Sequence, residues 1–247
     1  MIAQRWVVLL AAVVAFAGTA RLGLWQMDRA AQKNALQKQL DTRRALPPVP
    51  QPELAVDAAT AAGQYQRRVN LTGRWVPAAT VYLDNRQMGG RPGFFVVTPL
   101  LLVDGTAVAV QRGWQPRDAN DRSKVRVPPT PPGDVTVAGR IAPPPGRLFE
   151  FDAAASGAIR QNLVLADYGL EWRLSLRPLS VQQDDGAAAL DDGLLRQWPA
   201  PAAGVDKHYG YAFQWFALAV LILVLYVWFQ LIRPRRSARS SRSFRST

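Results

Sequence analysis

A run of 24 uncharged residues near the C-terminal end of the chain, Tyr209 to Ile232, is its most constraining feature. At 1.5 Å per residue, a helix of this length reaches about 36 Å, enough to cross the roughly 30 Å hydrocarbon core of a bilayer. Aromatic residues lie towards both ends of the run, as is typical of the two membrane interfaces. Residues 209–232 are therefore predicted to form a transmembrane helix, in preference to a buried core helix.

A second apolar segment lies near the N-terminus. Residues 6–20 carry no charge, a length that also suits a secretion signal, and residues 15–17 read Ala-Phe-Ala like a cleavage site. The apolar run resumes after Arg21 and ends at Trp25. An arginine near the end of a span can extend its guanidinium to the interface. We therefore predict an uncleaved first transmembrane helix at residues 6–25.

The cationic residues beside the spans predict their orientation. Residues 233–247 contain six arginines and no acidic residue, so the positive-inside rule assigns this basic tail to the cytoplasm. Two spans return residues 1–5 to the same side and leave residues 30–208 outside. Arginine outnumbers lysine by 26 to 4 and alanine is abundant, which suggests a GC-rich bacterial genome. We expect a multi-pass protein of the bacterial inner membrane with a periplasmic main domain.

The composition also bounds the chemistry. The chain has no cysteine and a single histidine, His208, so disulfides, thiol catalysis and His-cluster metal sites are excluded. The net charge of +12 would suit nucleic acid. Half of that excess lies in the tail beside the membrane, however, so the lipid bilayer is the expected partner and nucleic acid is not.

The region between the spans is predicted to form a helical extension (26–46), a Pro-rich connector (47–63), a mainly β domain (64–182) and a loop back to the membrane (183–208). Asp104-Gly105 between apolar runs predicts a hairpin, and a helix is expected around Ala153–Tyr168. The predicted strands are Val69–Trp75, Thr80–Asn85, Phe94–Val103, Ala107–Trp114, Val135–Ile141 and Trp172–Val181. The predicted fold is a membrane protein whose two transmembrane α-helices flank a mainly antiparallel β (α+β) extracytoplasmic domain.

No stretch predicts an enzyme active site. The glycine cluster at 89–93 lies between strands, which favours a turn over a phosphate loop. Asp184-Asp185 and Asp191-Asp192 could be acid–base or metal-binding carboxylates, but their small-residue surroundings favour a solvated loop. No serine lies in a nucleophile-elbow sequence. We nominate no catalytic residue.

Three stretches together resemble one family. Residues 22–29 read Leu-Gly-Leu-Trp-Gln-Met-Asp-Arg, with Lys33 following. Residues 111–117 read Gln-Arg-Gly-Trp-Gln-Pro-Arg, and residues 208–216 read His-Tyr-Gly-Tyr-Ala-Phe-Gln-Trp-Phe. In this order and spacing they resemble motifs of the Surfeit-locus (Surf/Shy) proteins, which are cytochrome c oxidase assembly factors.

The resemblance implies a non-enzymatic assembly factor that holds haem a for insertion into oxidase subunit I. Haem A synthase and other oxidase assembly factors are further possible partners. The neutral imidazole of His208, expected at the outer interface, could ligate haem iron. The residues nominated for the haem are His208, Tyr211, Trp215, Trp25, Arg29 and Lys33. Those nominated for a possible partner contact are Arg112, Trp114 and Arg117.

Alternatives remain open for each assignment. His208 could instead be an interfacial anchor for its helix. Arg29 and Lys33, predicted to share a helical face with Trp25, could bind lipid phosphates instead of haem propionates. Arg112 and Trp114 could form a packed corner instead of a surface that contacts the oxidase. For the whole chain, the alternative is a membrane-tethered periplasmic sensing or scaffold module without haem.

Overall fold

The computed structural model describes residues 2–121, 123–146, 148, 157–185, 192–198 and 204–233. They divide into two compact units. A helical unit comprises Met1–Gln39 and Ala200–Thr247, and a β unit comprises Leu40–Pro199.

The helical unit is built on two long helices. Helix α1 spans Ile2–Ala45, and helix α4 spans Val205–Tyr226 and continues through a π-helical segment, Val227–Ile232. Both helices are long and apolar enough to cross a membrane. The predicted pair of membrane helices is therefore confirmed, and α1 runs without interruption from the first apolar segment through the predicted extension.

The two helices pack through a seam of regularly spaced residues. The less exposed positions of α1 recur at alternating steps of three and four residues: Leu9, Ala12, Phe16, Thr19, Gly23, Gln26, Ala30, Lys33 and Gln37. Those of α4 follow the same steps: Val205, His208, Ala212, Trp215, Ala219, Ile222 and Tyr226. This spacing is that of a left-handed coiled coil, and the small residues on it allow close approach of the helices.

The β unit contains seven strands and two short helices. The strands are β1 (Arg68–Trp75), β2 (Val81–Met88), β3 (Arg91–Leu102), β4 (Ala107–Pro116), β5 (Asp134–Ala142), β6 (Ile159–Arg160) and β7 (Leu176–Gln183). The helices are α2 (Ala58–Gln64) and α3 (Leu165–Trp172). The strand order is β1-β5-β7-β4-β3-β2-β6, and β1 also pairs with the end of β3. That pairing closes five strands into a ring and leaves β2 and β6 as an extension.

Most strand pairings are antiparallel, as predicted, but the sheet is mixed because β4–β7 and β2–β6 are parallel. The main core lies inside the ring and contains aliphatic side chains such as Leu71, Leu100 and Ile141. A second core packs α3 against the other face of β2 and β3, where the hydroxyl of Tyr168 donates a hydrogen bond to the carbonyl of Ala79. The predicted hairpin at Asp104-Gly105 is confirmed, since the amide of Leu102 bonds to the carbonyl of Thr106.

Three segments differ from the prediction. Residues 47–63 contain a 3-10 turn, Gln51–Glu53, and most of α2, and their apolar side chains Val49, Leu54 and Ala61 are buried in the main core. The helix predicted at Ala153–Tyr168 begins only at Leu165, and residues 153–156 lie outside the described residues. The strand predicted at Trp172–Val181 begins only at Leu176, because α3 extends through Trp172.

Gly23 provides a test of the helix seam. A β-carbon there would lie 2.7 Å from the ring of Phe216, so Gly23→Ile should overpack the seam at a cost of about 1–3 kcal/mol. Because the chain has no cysteine, a Gln26→Cys/His208→Cys background and a short bismaleimide report on helix contact. Cross-linking should fall with Gly23→Ile. It should be unchanged with Gly18→Ile, where a β-carbon meets nothing within 4 Å. Equal yields in both variants would contradict the seam.

Candidate functional site

His208 lies on the seam in the first turns of α4 and contacts α1. Its Nδ1 lies 2.8 Å from Oε1 of Gln26, and the histidine is half-buried. An amide oxygen only accepts hydrogen bonds, so Nδ1 carries the proton and donates it. In the neutral imidazole, Nε2 is then the nitrogen with a free lone pair. The Gln26 contact thus selects the tautomer that a metal-ligating histidine uses, with the remote ring nitrogen bonded to a protein acceptor.

The nominated neighbours of His208 are divided between the seam and the outer faces of the helices. Trp215 is half-buried on the seam, whereas Tyr211 is half-exposed beside it. On α1, the guanidinium of Arg29 lies 5.7 Å from the centroid of the Trp25 ring, and both residues are exposed. A further polar contact, missed by the sequence analysis, joins Asn34 to the hydroxyl of Tyr209 at 3.0 Å.

Lys33 does not share the outer face with Trp25 and Arg29. It occupies a seam position and is less exposed than either of them. A step of four residues rotates about 40° around an α-helix, so two steps carry Lys33 from the Trp25 face to the seam. The predicted common face of these three residues is thus an arc of about 80°, with Lys33 at its edge on the seam.

The Arg-Gly-Trp motif of β4 begins at a β-bulge. Gln111 pairs with Val97 and Gly113 pairs with Val96, so Arg112 faces no residue of β3. A bulge of this kind redirects the side chain of the extra residue. It turns Arg112 towards the interior, where 2% of its side chain is exposed.

The Arg112 guanidinium finds its partners within the β unit. It donates to the carbonyl of Pro129 at 2.7 Å and to the hydroxyl of Thr130 at 2.8 Å. It lies 4.9 Å from the centroid of the Trp75 ring and 3.9 Å from the Asp192 carboxylate. Burial lowers the pKa of Arg112, and the charge of Asp192 opposes that shift. These internal contacts are what the packed-corner interpretation expects.

Gly113 and Trp114 hold a segment that precedes α4 in the sequence, residues 192–198, which we call the docked segment. The amides and carbonyls of Trp114 and Leu195 exchange two hydrogen bonds, of 2.7 and 2.8 Å. A β-carbon on Gly113 would lie 2.7 Å from Cβ of Leu194, so only glycine permits this approach. The ring of Trp198 contacts that of Phe95 at 5.3 Å between centroids. Residues 192–198 of the predicted loop back to the membrane are therefore held against β4.

Asp192 anchors the docked segment through charge. Its carboxylate is 3% exposed and bonds to the guanidinium of Arg196, which is equally buried. The expectation that Asp191-Asp192 is a solvated loop is therefore wrong for Asp192, while Asp191 lies outside the described residues. One sequence signal could have revealed the buried role of Asp192. Arg196 follows it by four residues, in a region otherwise rich in small residues.

Arg117 follows the strand end and points to a different environment. It pairs with Asp84, which lies in a second bulge, where β2 shifts register between Leu83 and Arg86. Asn85 within that bulge has a φ of 58°, a left-handed conformation that asparagine tolerates better than most residues. Arg117 also lines a cleft at the surface of the β unit.

Comparisons with known families and proteins identify relatives of this chain. A model of the SURF1 family matches residues 13–220, which include most of α1, the first part of α4 and the whole β unit. The chain belongs to the SURF1 family.

A SURF1-like protein of Rickettsia felis is 24% identical over 228 residues, covering 88% of this chain and 94% of the relative. The yeast protein named cytochrome oxidase assembly protein SHY1 is 31% identical over 94 residues, covering 38% of this chain and 24% of the relative. A SURF1-like protein of Mycobacterium bovis is 26% identical over 246 residues, covering 95% and 88% respectively.

In this SURF1-family chain the three motifs are thus assigned to defined structural features. The first and third motifs supply Gln26 and His208, which meet on the helix seam. The middle motif supplies the bulge and strand end that hold the docked segment. The bond of Gln26 to His208 and the pairing of Asp192 with Arg112 and Arg196 were not predicted from the sequence.

Replacing Asp192 should destabilise the β unit strongly. Asp192→Asn leaves Arg112 buried without a carboxylate and leaves Arg196 with only the exposed Asp185, and breaking a buried ion pair from one side costs about 3–5 kcal/mol. The control is Asp185→Asn, which removes an exposed partner of the same Arg196, 3.2 Å from it, at a cost of about 1 kcal/mol or less. Urea unfolding of the full chain in detergent, followed by tryptophan fluorescence, measures both. Similar losses in the two variants would contradict the anchoring role of Asp192.

Proposed function

We propose that this protein is a non-enzymatic assembly factor for haem–copper cytochrome c oxidase. Membership of the SURF1 family supports the proposal, as does the similarity to a yeast protein whose name states a role in cytochrome oxidase assembly. Two helices able to cross a membrane support a site of action beside a membrane-embedded complex. Oxidase subunit I is the proposed partner, with haem A synthase and other assembly factors as further partners.

The finer proposal is that the protein holds haem a for transfer to subunit I. The single observation that carries it is the hydrogen bond between Gln26 and Nδ1 of His208. In the neutral imidazole this bond leaves Nε2 with the free lone pair through which histidine ligates haem iron. A single nitrogen ligand on the half-buried His208 ring suits a haem that is bound and then transferred to another protein.

The other nominated residues supply a setting that fits a haem. Tyr211 and Trp25 present half-exposed aromatic surface, and Trp215 lies on the seam on the same side of α4 as His208. Arg29 offers a cation that can pair with a propionate, in competition with lipid phosphates. The seam position of Lys33 favours Arg29 as the more accessible cation of the pair.

The proposed location is the bacterial inner membrane, with both termini in the cytoplasm and the β unit in the periplasm. The six arginines of residues 233–247 support this orientation. A reporter active only in the periplasm should be silent when fused after Arg242 and active when inserted near Asp185. Activity at both positions, or a new N-terminus after Ala17 or Ala20 in mass spectrometry, would contradict the two-span topology.

His208→Ala should abolish haem binding and leave the β unit folded. The variant removes the proposed iron ligand, and His208 is not among the residues that form the hydrophobic cores of the β unit. Full-length protein is purified from cells that make haem A, and its visible spectrum and proteolytic pattern are recorded. The matched control is Lys207→Ala, an exposed neighbour. Gln26→Ala should weaken haem affinity by about 10–100-fold, because it removes the hydrogen bond that orients the His208 ring.

The same variants test the assembly role in cells. Deleting the gene should lower cytochrome c oxidase activity and haem-a absorbance in membranes, and wild-type and Lys207→Ala copies should restore both. Normal oxidase in the deletion strain would refute the assembly proposal. A normal haem spectrum in His208→Ala would refute ligation alone and leave His208 as an anchor of its helix.

A further inference from the structure

A cationic cleft of about 680 Å³ opens on the β unit where β4 ends. A smaller cavity of about 340 Å³ adjoins it and shares Arg91, Arg117 and Asp118 with it. Together they form an elongated depression along the start of β3, the end of β4 and the loop that follows. We call the two together the cationic cleft.

The cleft concentrates the positive charge of the region between the spans. Residues 30–208 contain 21 basic and 17 acidic residues, an excess of only four. Three of these four excess positive charges lie in the cleft lining, which contains four cationic side chains and one carboxylate. The four are Arg91, Arg117, Lys124 and Arg126. The net charge of the rest of the region is therefore close to zero, and the cleft is a part of the described chain that attracts anions over a distance.

The described contacts neutralise this charge only in part. Arg117 pairs with Asp84. Arg126 donates to a neutral acceptor, the carbonyl of Asp192, at 3.2 Å. Lys124 reaches Asp118 only at 4.0 Å, and Asp118 mainly accepts hydrogen bonds from the backbone of its own loop, which lower its pKa. The cleft thus keeps unbalanced guanidinium and ammonium groups at its rim.

The backbone of the cleft favours carboxylates over phosphate. Phosphate sites usually combine cations with free backbone amides at a helix N-terminus or a nest. Here the amides of Asn120 and Asp121 already donate to Asp118, and the amide of Ser123 already donates to Asp121. The described lining contains no helix. Arginines spaced along an elongated depression suit successive carboxylates, each bound by a guanidinium fork.

We propose that the cationic cleft binds an acidic peptide segment of a protein partner. The inference rests on the proposed function, because an assembly factor must engage another protein. It assigns Arg91, Lys124 and Arg126 to that contact, with Arg117 held in place between them by Asp84. The docked segment forms one wall through Gly193, so the interior contacts of the Arg-Gly-Trp motif also shape the cleft.

The test uses full-length protein in detergent and a fluorescein-labelled poly-glutamate peptide of about ten residues. Arg91→Glu/Lys124→Glu reverses two exposed charges and removes no buried contact. It should weaken peptide binding by about tenfold or more, equivalent to about 1.4 kcal/mol. The charge-matched control is Arg68→Glu/Arg173→Glu, at exposed positions outside the cleft, which should change binding by less than about twofold. Binding should also weaken with added salt, as expected for exposed charges.

Two competitors identify the anion. Millimolar inorganic phosphate and vesicles containing anionic lipid should displace the peptide no better than chloride and neutral vesicles do. Displacement by either would replace the peptide with a phosphate or a membrane as the ligand and so overturn the proposal. Equal weakening in the cleft and control variants, or no binding by the wild type, would overturn it as well. Normal oxidase in the deletion strain tests the assembly role separately, so the two failures are distinguishable.

Discussion

The arrangement of the β unit depends on one buried carboxylate placed between two buried guanidiniums. Asp192 bonds to Arg196 on its own segment and faces Arg112 on β4. Moving three charged groups out of water is costly, and such a cluster contributes more to specificity than to net stability. Here the specificity is positional: only one placement of the docked segment satisfies these charges. The backbone pairing of Leu195 with Trp114 and the contact of Leu194 at Gly113 follow from that placement.

A different constraint governs the helical unit. Lipid is as apolar as the side chains that face it, so no hydrophobic force brings two membrane helices together. Close packing at small residues and hydrogen bonds between polar groups must hold them instead. The seam supplies both, with Gly23, Ala30, Ala212 and Ala219 permitting close approach and Gln26 bonded to His208. The bond that helps to join the helices is therefore the one that sets the imidazole tautomer, which couples helix pairing to the proposed haem chemistry.

Features that depend on local pattern were predictable from the sequence. Charge-free length identified the second membrane helix, the apolar run that resumes after Arg21 identified the first, alternation located most strands, and Asp104-Gly105 identified a hairpin. The heptad seam was not predictable, because the membrane segments are apolar on every face and carry no periodic signal. The docked segment was not predictable either, because its partners lie about 80 residues away in the chain. The residues on either side of it, at 186–189 and 200–204, are mostly Ala, Gly and Pro, a composition typical of an ordinary loop.

The two arginines of the middle motif lie in different environments. Arg112 and Arg117 lie five residues apart on one strand and its end, and alternation would put them on opposite faces of a regular strand. The bulge at Arg112 breaks that alternation and directs its side chain into a buried ion cluster. The second bulge, in β2, brings Asp84 to Arg117 at the rim of the cleft. Loss of Arg112 should therefore act through folding of the β unit, whereas loss of Arg117 should act through the cleft. The motif thus combines a structural arginine with a surface arginine, and substitutions in it have to be interpreted residue by residue.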